Sequence, residues 1–294
     1  MFPGFERRRF DAGDGITING VVGGSGPPLL LLHGHPQTHV MWHNVAPRLA
    51  ERFTVVATDL RGYGDSSCPE GLPDHGNYAK RAMAADQVAV MRALGFERFM
   101  LCGHDRGARV SHRLAVDHAD RVQKLVLLDI SPTLAMYEQT SKLLATLYFH
   151  WFFLIQPRPL PETMIGANPD FYYKSVMGGR WAGLGVFAPE ALAEYSRCWN
   201  RPETIHAMCE DYRAAASIDL DHDRADRDAG NRIRCPLLVL WGANGVIEKC
   251  FKPLEDWGRV AIDVRGHAVP SGHYIPEEIP EVLVEELISY YHSE

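Results

Sequence analysis

Five consecutive residues, Gly103-His104-Asp105-Arg106-Gly107, carry the strongest chemical signal in the chain. An apolar run, Phe99-Met100-Leu101-Cys102, enters them, and a helical pattern from Ala108 to Val116 leaves them. This is the strand–turn–helix setting in which G-x-S-x-G presents a serine on a tight turn. The flanking glycines permit the close backbone approach that such a turn needs. Here the central residue is Asp105, and that changes the chemistry. A carboxylate is a poor acyl-transfer nucleophile, but it displaces a leaving group from saturated carbon and becomes an alkyl ester. Taken alone, Asp105 also reads as a helix N-cap. Its partners favour the nucleophile.

The ester must be hydrolysed. His273, in Ser271-Gly272-His273-Tyr274-Ile275-Pro276-Glu277-Glu278, stands where the chain order nucleophile, acid, histidine puts the base. His267 is the runner-up, although Arg265-Gly266-His267-Ala268 reads as a turn. Asp129 ends the run Leu125-Val126-Leu127-Leu128 and is the candidate acid that orients the imidazole. The oxyanion formed during hydrolysis needs backbone donors. The loop His33-Gly34-His35-Pro36 follows the first long apolar run, so the N–H groups of His35 and Arg106 are the candidates. His33 and His35 also invite a zinc reading. It is disfavoured, because no Cys or acidic partner sits at ligand spacing. No metal and no cofactor are expected.

These residues must be held by a larger frame. Leu29-Leu30-Leu31-Leu32, Thr54-Val55-Val56-Ala57, and Leu237-Leu238-Val239-Leu240 join the two runs already quoted as short apolar segments. Without polar alternation, they suit parallel strands covered on both faces. Helical patterns lie between them, one from Tyr78 to Leu94 with Gly95 as its stop. The expectation is an α/β fold with a mostly parallel, doubly wound sheet. Between about 132 and 231 no strand-like run occurs. That stretch is aromatic-rich and broken by Pro157, Pro159 and Pro161, and it reads as an inserted helical cap. The core is then 1–131 with 232–294, ending in a helix from about Pro280 to Tyr291.

The 294 residues are enough for a large core without disulfide or metal staples. The formal net charge of −7 and the absence of a basic tract argue against nucleic acid. No apolar run approaches the ~18 residues of a membrane span, and the N-terminus does not read as a secretory signal. Six scattered cysteines without a C-x-x-C pair suit free thiols in the cytoplasm.

The chain resembles α/β-hydrolases with an aspartate nucleophile, most closely the fluoroacetate (haloacetate) dehalogenases. The resemblance covers essentially the whole chain. Four stretches carry it: His33 to His39, Gly103 to Arg109, His150 to Pro157, and Cys209 to Ala214. It implies that Arg106 and Arg109 clamp a substrate carboxylate, and two guanidinium forks suit a planar anion. It implies that His150, Trp151 and Tyr212 bind the departing halide, which needs donors in a dry pocket. Trp181 resembles a further residue of the pocket wall. Read without the resemblance, Tyr148 to Phe153 would be an aromatic cap core. The resemblance also implies a homodimer. One position departs: His35 stands where the family carries Phe.

The reaction expected is hydrolysis of a small 2-haloacid such as fluoroacetate to glycolate and halide, with water as the second substrate. An epoxide hydrolase would share the Asp–His–Asp machinery. Its elbow usually has Trp after the aspartate, its cap usually supplies two tyrosines, and a neutral epoxide has no use for Arg106 and Arg109. A non-catalytic binder of a small carboxylate is the third reading. An anion at Asp105 would repel such a ligand.

Overall fold

A computed structural model describes residues 1–292. Eight strands form one sheet: β1 (Phe5–Gly13), β2 (Ile16–Gly23), β3 (Pro28–Leu32), β4 (Thr54–Thr58), β5 (Phe99–His104), β6 (Val122–Leu128), β7 (Leu237–Gly242) and β8 (Val264–Val269). Their order is β1-β2-β4-β3-β5-β6-β7-β8. The pairs β1–β2 and β2–β4 are antiparallel, and every other pair is parallel. The apolar runs of the sequence are β3 to β7. Their side chains are buried because helices cover both faces, which is why they lack a polar alternate.

Three strands differ from expectation. β1 and β2 form a hairpin around Asp14-Gly15, both with positive φ, as a two-residue hairpin turn of the mirror-image type requires. β8 contains Arg265-Gly266-His267-Ala268, so this segment is a strand and not the turn expected. It is an edge strand with largely exposed side chains, and so has no apolar signature.

The elbow is a backbone solution. Asp105 takes φ +47°, ψ −112°, between β5 and the helix Arg106–Asp117. A Cβ at Gly107 would stand 2.5 Å from the Leu32 carbonyl oxygen and 2.4 Å from that of His33. A Cβ at Gly242 would stand 1.9 Å from the Gly272 carbonyl oxygen. Neither position accepts any other residue without backbone movement, and overpacking of this kind costs about 1–3 kcal/mol or more.

Between β6 and β7 the described chain is helical. Eight α-helices run from Thr133 to Ala229, with a short 3-10 turn at Leu184–Val186. One of them, Pro189–Trp199, is tied to loops at the sheet's C-terminal edge through a buried cluster. Tyr195 donates its hydroxyl to Glu277 Oε1 at 2.5 Å, and Gln37 Nε2 donates to the same oxygen at 3.1 Å. Glu277 Oε2 has no hydrogen-bond partner. Burial pushes the Glu277 carboxyl up to about 8, against the hydrogen bonds from Tyr195 and Gln37.

This shift fixes a pH dependence. Between the ordinary glutamate value of 4.5 and about 8, the folded state keeps a proton that the unfolded chain releases. The stabilisation is complete below the lower value and is lost as pH rises through the upper one. Glu277→Gln is expected to remove this contribution. Urea unfolding from about pH 5 to about pH 8.5 should therefore give a smaller loss of stability in the variant than in the parent.

Candidate active site

The candidate residues meet at the C-terminal ends of the parallel strands, where α/β sheets place their crevice. β5 delivers Asp105, β6 delivers Asp129, the loop after β3 delivers His35, and the loop after β8 delivers His273. The loop after β3 is anchored by its first histidine. His33 Nδ1 donates to Gly34 O at 2.9 Å, and its Nε2 accepts the Leu60 N–H at 3.0 Å. Both His33 nitrogens are therefore engaged with backbone.

The Asp129 side chain accepts from two sides. Oδ2 takes the His273 Nδ1–H at 2.6 Å, and Oδ1 takes the Gly242 N–H at 2.9 Å. This contact fixes the imidazole tautomer with Nε2 unprotonated, as a base requires. His104 Nε2 donates to the His273 carbonyl at 2.7 Å, so the residue before Asp105 holds the loop of the candidate base. His267 is elsewhere: it is exposed on β8, with Nε2 3.1 Å from Glu286.

Asp105 is buried, and its Oδ1 accepts the His35 N–H at 2.9 Å. Burial alone would raise its carboxyl. The fields of His273, His104, Arg106 and Arg109 overcome that and hold it well below the usual carboxylate range. The acid is thus an anion at every working pH. The Arg106 N–H is the first of its helix, so no helical carbonyl precedes it as an acceptor.

The two arginines are more committed than a pair of open forks. Arg106 gives Nε to Asp211 Oδ2 and Nη2 to Asp211 Oδ1, each at 2.8 Å. Asp211 also accepts the Tyr63 hydroxyl at 2.6 Å and pairs with the buried Lys80 ammonium. Arg109 gives Nη1 to Thr133 Oγ1 at 2.8 Å, and its guanidinium lies 4.6 Å from the Trp151 ring centroid. What remains is one buried, unpartnered nitrogen on each: Nη1 of Arg106 and Nε of Arg109. Two N–H groups on two cations match the two oxygens of a carboxylate. No Asp or Glu pairs with Arg109 among the described residues. Burial and the nearby Arg106 push its guanidinium down, a penalty that a bound anion would relieve.

Asp211 is a residue of the candidate site that the sequence did not single out, although it adjoins Tyr212. Burial would raise its carboxyl, but Arg106 and Lys80 hold it far below its ordinary range.

His150, Trp151 and Tyr212 are brought together by the helices Phe149–Leu154 and Pro202–Ala215. The rings of His150 and Tyr212 are 5.9 Å apart, and those of Trp151 and Tyr212 are 6.2 Å apart. Trp151 Nε1 is buried without an acceptor. Burial, with Arg180 nearby, pulls His150 well below its ordinary value, so it is a neutral N–H donor. Burial and the Asp105 charge raise the Tyr212 phenol, which keeps its proton.

His35 joins this group. Its ring lies parallel to His150 at 6.2 Å and edge-on to Tyr212 at 5.1 Å. Burial pulls it down to about 3, and neither ring nitrogen has a partner. Trp181 departs from expectation. It is 60% exposed, in a glycine-flanked turn, and belongs to the outer mouth rather than to the buried wall. Arg180 beside it was not anticipated. Its guanidinium lies 4.3 Å from the Tyr148 ring centroid.

The chain matches the α/β hydrolase fold family over residues 27–245. A fluoroacetate dehalogenase from Burkholderia sp is 50% identical over 283 residues, which is 96% of this chain and 92% of that one. A soluble epoxide hydrolase from Corynebacterium sp. (strain C12) is 32% identical over 95% of this chain and 94% of its own. The solved structure of an α/β hydrolase from Nostoc sp PCC 7120 superposes with a TM-score of 0.97 at 55% identity, covering both chains completely. The chain belongs to the α/β-hydrolase superfamily and, within it, to the haloacetate dehalogenase family.

The Asp211 cluster generates a prediction. Asp211→Asn leaves Arg106 a buried cation without its anion and Lys80 with only Asp219, 3.6 Å away. Breaking such a pair is expected to cost about 3–5 kcal/mol in urea unfolding. Because Arg106 then loses its fixed orientation, KM for a haloacetate should rise at least about tenfold, the effect of ~1.4 kcal/mol of lost binding.

Proposed function

We propose that this protein hydrolyses small 2-haloacids, fluoroacetate among them, to the 2-hydroxyacid and halide. The observation that carries the reading is the pair of buried guanidinium nitrogens left unpartnered beside an ionised, buried Asp105. Nη1 of Arg106 and Nε of Arg109 each take one carboxylate oxygen and aim the α-carbon at Asp105, a proximity effect. Asp105 Oδ2 forms a bond to that carbon as the carbon–halogen bond breaks. The electron pair leaves with the halogen, and the N–H and O–H groups of His150, Trp151 and Tyr212 meet the growing charge.

The second step regenerates the carboxylate. His273 Nε2 takes a proton from water, and the hydroxide adds to the ester carbonyl carbon of Asp105. The His35 N–H already on Oδ1, together with the Arg106 N–H, stabilises the oxyanion. Asp129 carries the resulting imidazolium. As the intermediate collapses, His273 gives its proton to the departing glycolate oxygen, and the new carboxyl of Asp105 releases its own proton to solvent. The sum is haloacetate plus water to glycolate, halide and a proton, with no metal or cofactor in any step.

The epoxide hydrolase relative fits the core machinery. A neutral epoxide leaves Arg109 buried without an anion, so that reading is weaker. We treat 132–231 as a cap over a core of 1–131 and 232–294. A homodimer in the cytoplasm is also part of the proposal. Six free cysteines suit a reducing compartment. Exposed Leu143, Phe149, Met164 and Phe171 give the helical segment apolar surface for a second copy. No helix among the described residues is long and apolar enough to cross a membrane.

Purified protein incubated with fluoroacetate, chloroacetate and a styrene-type epoxide should release halide and glycolate together, and no diol. Asp105→Asn should abolish release. His273→Asn should give one burst of halide per enzyme and then stop, with the alkylated Asp105 peptide visible by mass spectrometry. In a single turnover in isotopically heavy water, the heavy oxygen should appear in Asp105 and not in glycolate. Diol without halide would move the assignment to epoxide hydrolysis.

His35→Phe tests the departure from the family. It deletes two unpartnered polar atoms and keeps the aromatic volume. The preference for fluoroacetate over chloroacetate should shift by about tenfold, roughly the worth of one neutral hydrogen bond. The ratio of the two kcat/KM values reads it.

A further inference from the structure

A cavity of about 180 Å³ opens beside His273, at the turn that follows β7, and Arg180, Trp181, Asn244 and Lys249 line it. None of its lining residues is acidic. Arg180 is mostly enclosed there. Its Nη1 reaches the Leu147 carbonyl at 3.4 Å, its guanidinium faces the Tyr148 ring, and its Nε is buried without a hydrogen-bond partner. Among the described residues no Asp or Glu forms a salt bridge with Arg180 or with Lys249, which is exposed at the rim. The Tyr148 ring and the field of Asp105 keep the guanidinium charged, while its buried Nε still lacks an acceptor. The chain as a whole is acidic, at −7, and would repel a small anion. A local positive mouth reverses that repulsion where it matters.

We propose that this cavity is an anion-binding vestibule, distinct from the Arg106–Arg109 clamp, that takes small monoanions. Resting on the haloacid reading, it receives the substrate carboxylate on the way in and the halide or hydroxyacid on the way out. Arg180 is its inner cation and Lys249 its outer one. His273 forms the boundary with the reaction chamber.

Trp181 supplies a direct probe. It is the one exposed tryptophan; Trp42, Trp151, Trp199, Trp241 and Trp257 are all buried. Iodide quenching of its fluorescence should exceed the quenching by neutral acrylamide. Lys249→Glu and Arg180→Met should each lower the iodide constant at least about threefold and leave the acrylamide constant unchanged. Lys249 is exposed, so its variant reports even if Arg180→Met fails to fold. In steady-state assays with chloroacetate, Lys249→Glu should raise KM about tenfold with a much smaller change in kcat. The parent's kcat/KM should fall as ionic strength rises at constant chloride. Iodide and acrylamide quenching that respond alike to Lys249→Glu would overturn the vestibule, as would an unchanged KM. Charge-selective quenching in a protein that turns over no haloacetate would retain the vestibule and overturn the haloacid reading. Normal turnover without charge-selective quenching would do the reverse.

Discussion

The constraint on which this molecule depends is a buried carboxylate held in a left-handed backbone conformation. Asp105 sits at φ +47° with its side chain buried, and both features carry an energetic cost. Everything nearby offsets them. The His35 N–H fixes one oxygen, while His273, His104 and two guanidiniums supply positive field. They come from β5 and the helix that follows it, from the loop after β3 and from the loop after β8, and the sheet fixes these relative to one another. The carboxylate that results is weakly solvated and aimed, which is what the proposed displacement at saturated carbon requires.

The cations around it divide into fixed and unfilled. Arg106 is pinned by Asp211, which Lys80 and Tyr63 also hold. A buried ion pair of this kind contributes orientation more than stability. Arg109 is positioned by uncharged groups, Thr133 Oγ1 and the Ser131 carbonyl, and lacks an acid of its own. The pinned cation gives the site its shape, and the unfilled one gives it a demand for an anion. Epoxides and other neutral electrophiles meet only the first of these.

Much of this was legible in the sequence. Asp105, Asp129 and His273 each lie just beyond a strand or in a fixed chain order, and apolar runs ending in a polar residue mark such places. The parallel strands were legible for the same reason, since burial on both faces leaves no polar alternate. Asp211 was not. Its partners Lys80, Arg106 and Tyr63 lie 131, 105 and 148 residues away, and no local pattern encodes those distances. Arg180 follows two glycines in a stretch without periodicity, so nothing in its neighbourhood announces that it faces Tyr148. The hairpin β1–β2 and the edge strand β8 hid because edge strands can be polar and still pair. For the hairpin, Asp14-Gly15 was the available clue.

The glycines of the frame have a consequence for how such a protein can change over generations. At 107 and 242 the space for a side chain is already filled by carbonyl oxygens, and at 34 by Asp105 and His104. The backbone that carries the reaction therefore tolerates almost no drift. His35 and Trp181 are held differently, through side chains that touch rings or solvent. Inherited variation is channelled to such positions, where a single codon can retune what is admitted without disturbing what is done to it. Neighbouring activities can diverge on one scaffold in this way while their core geometry stays superimposable.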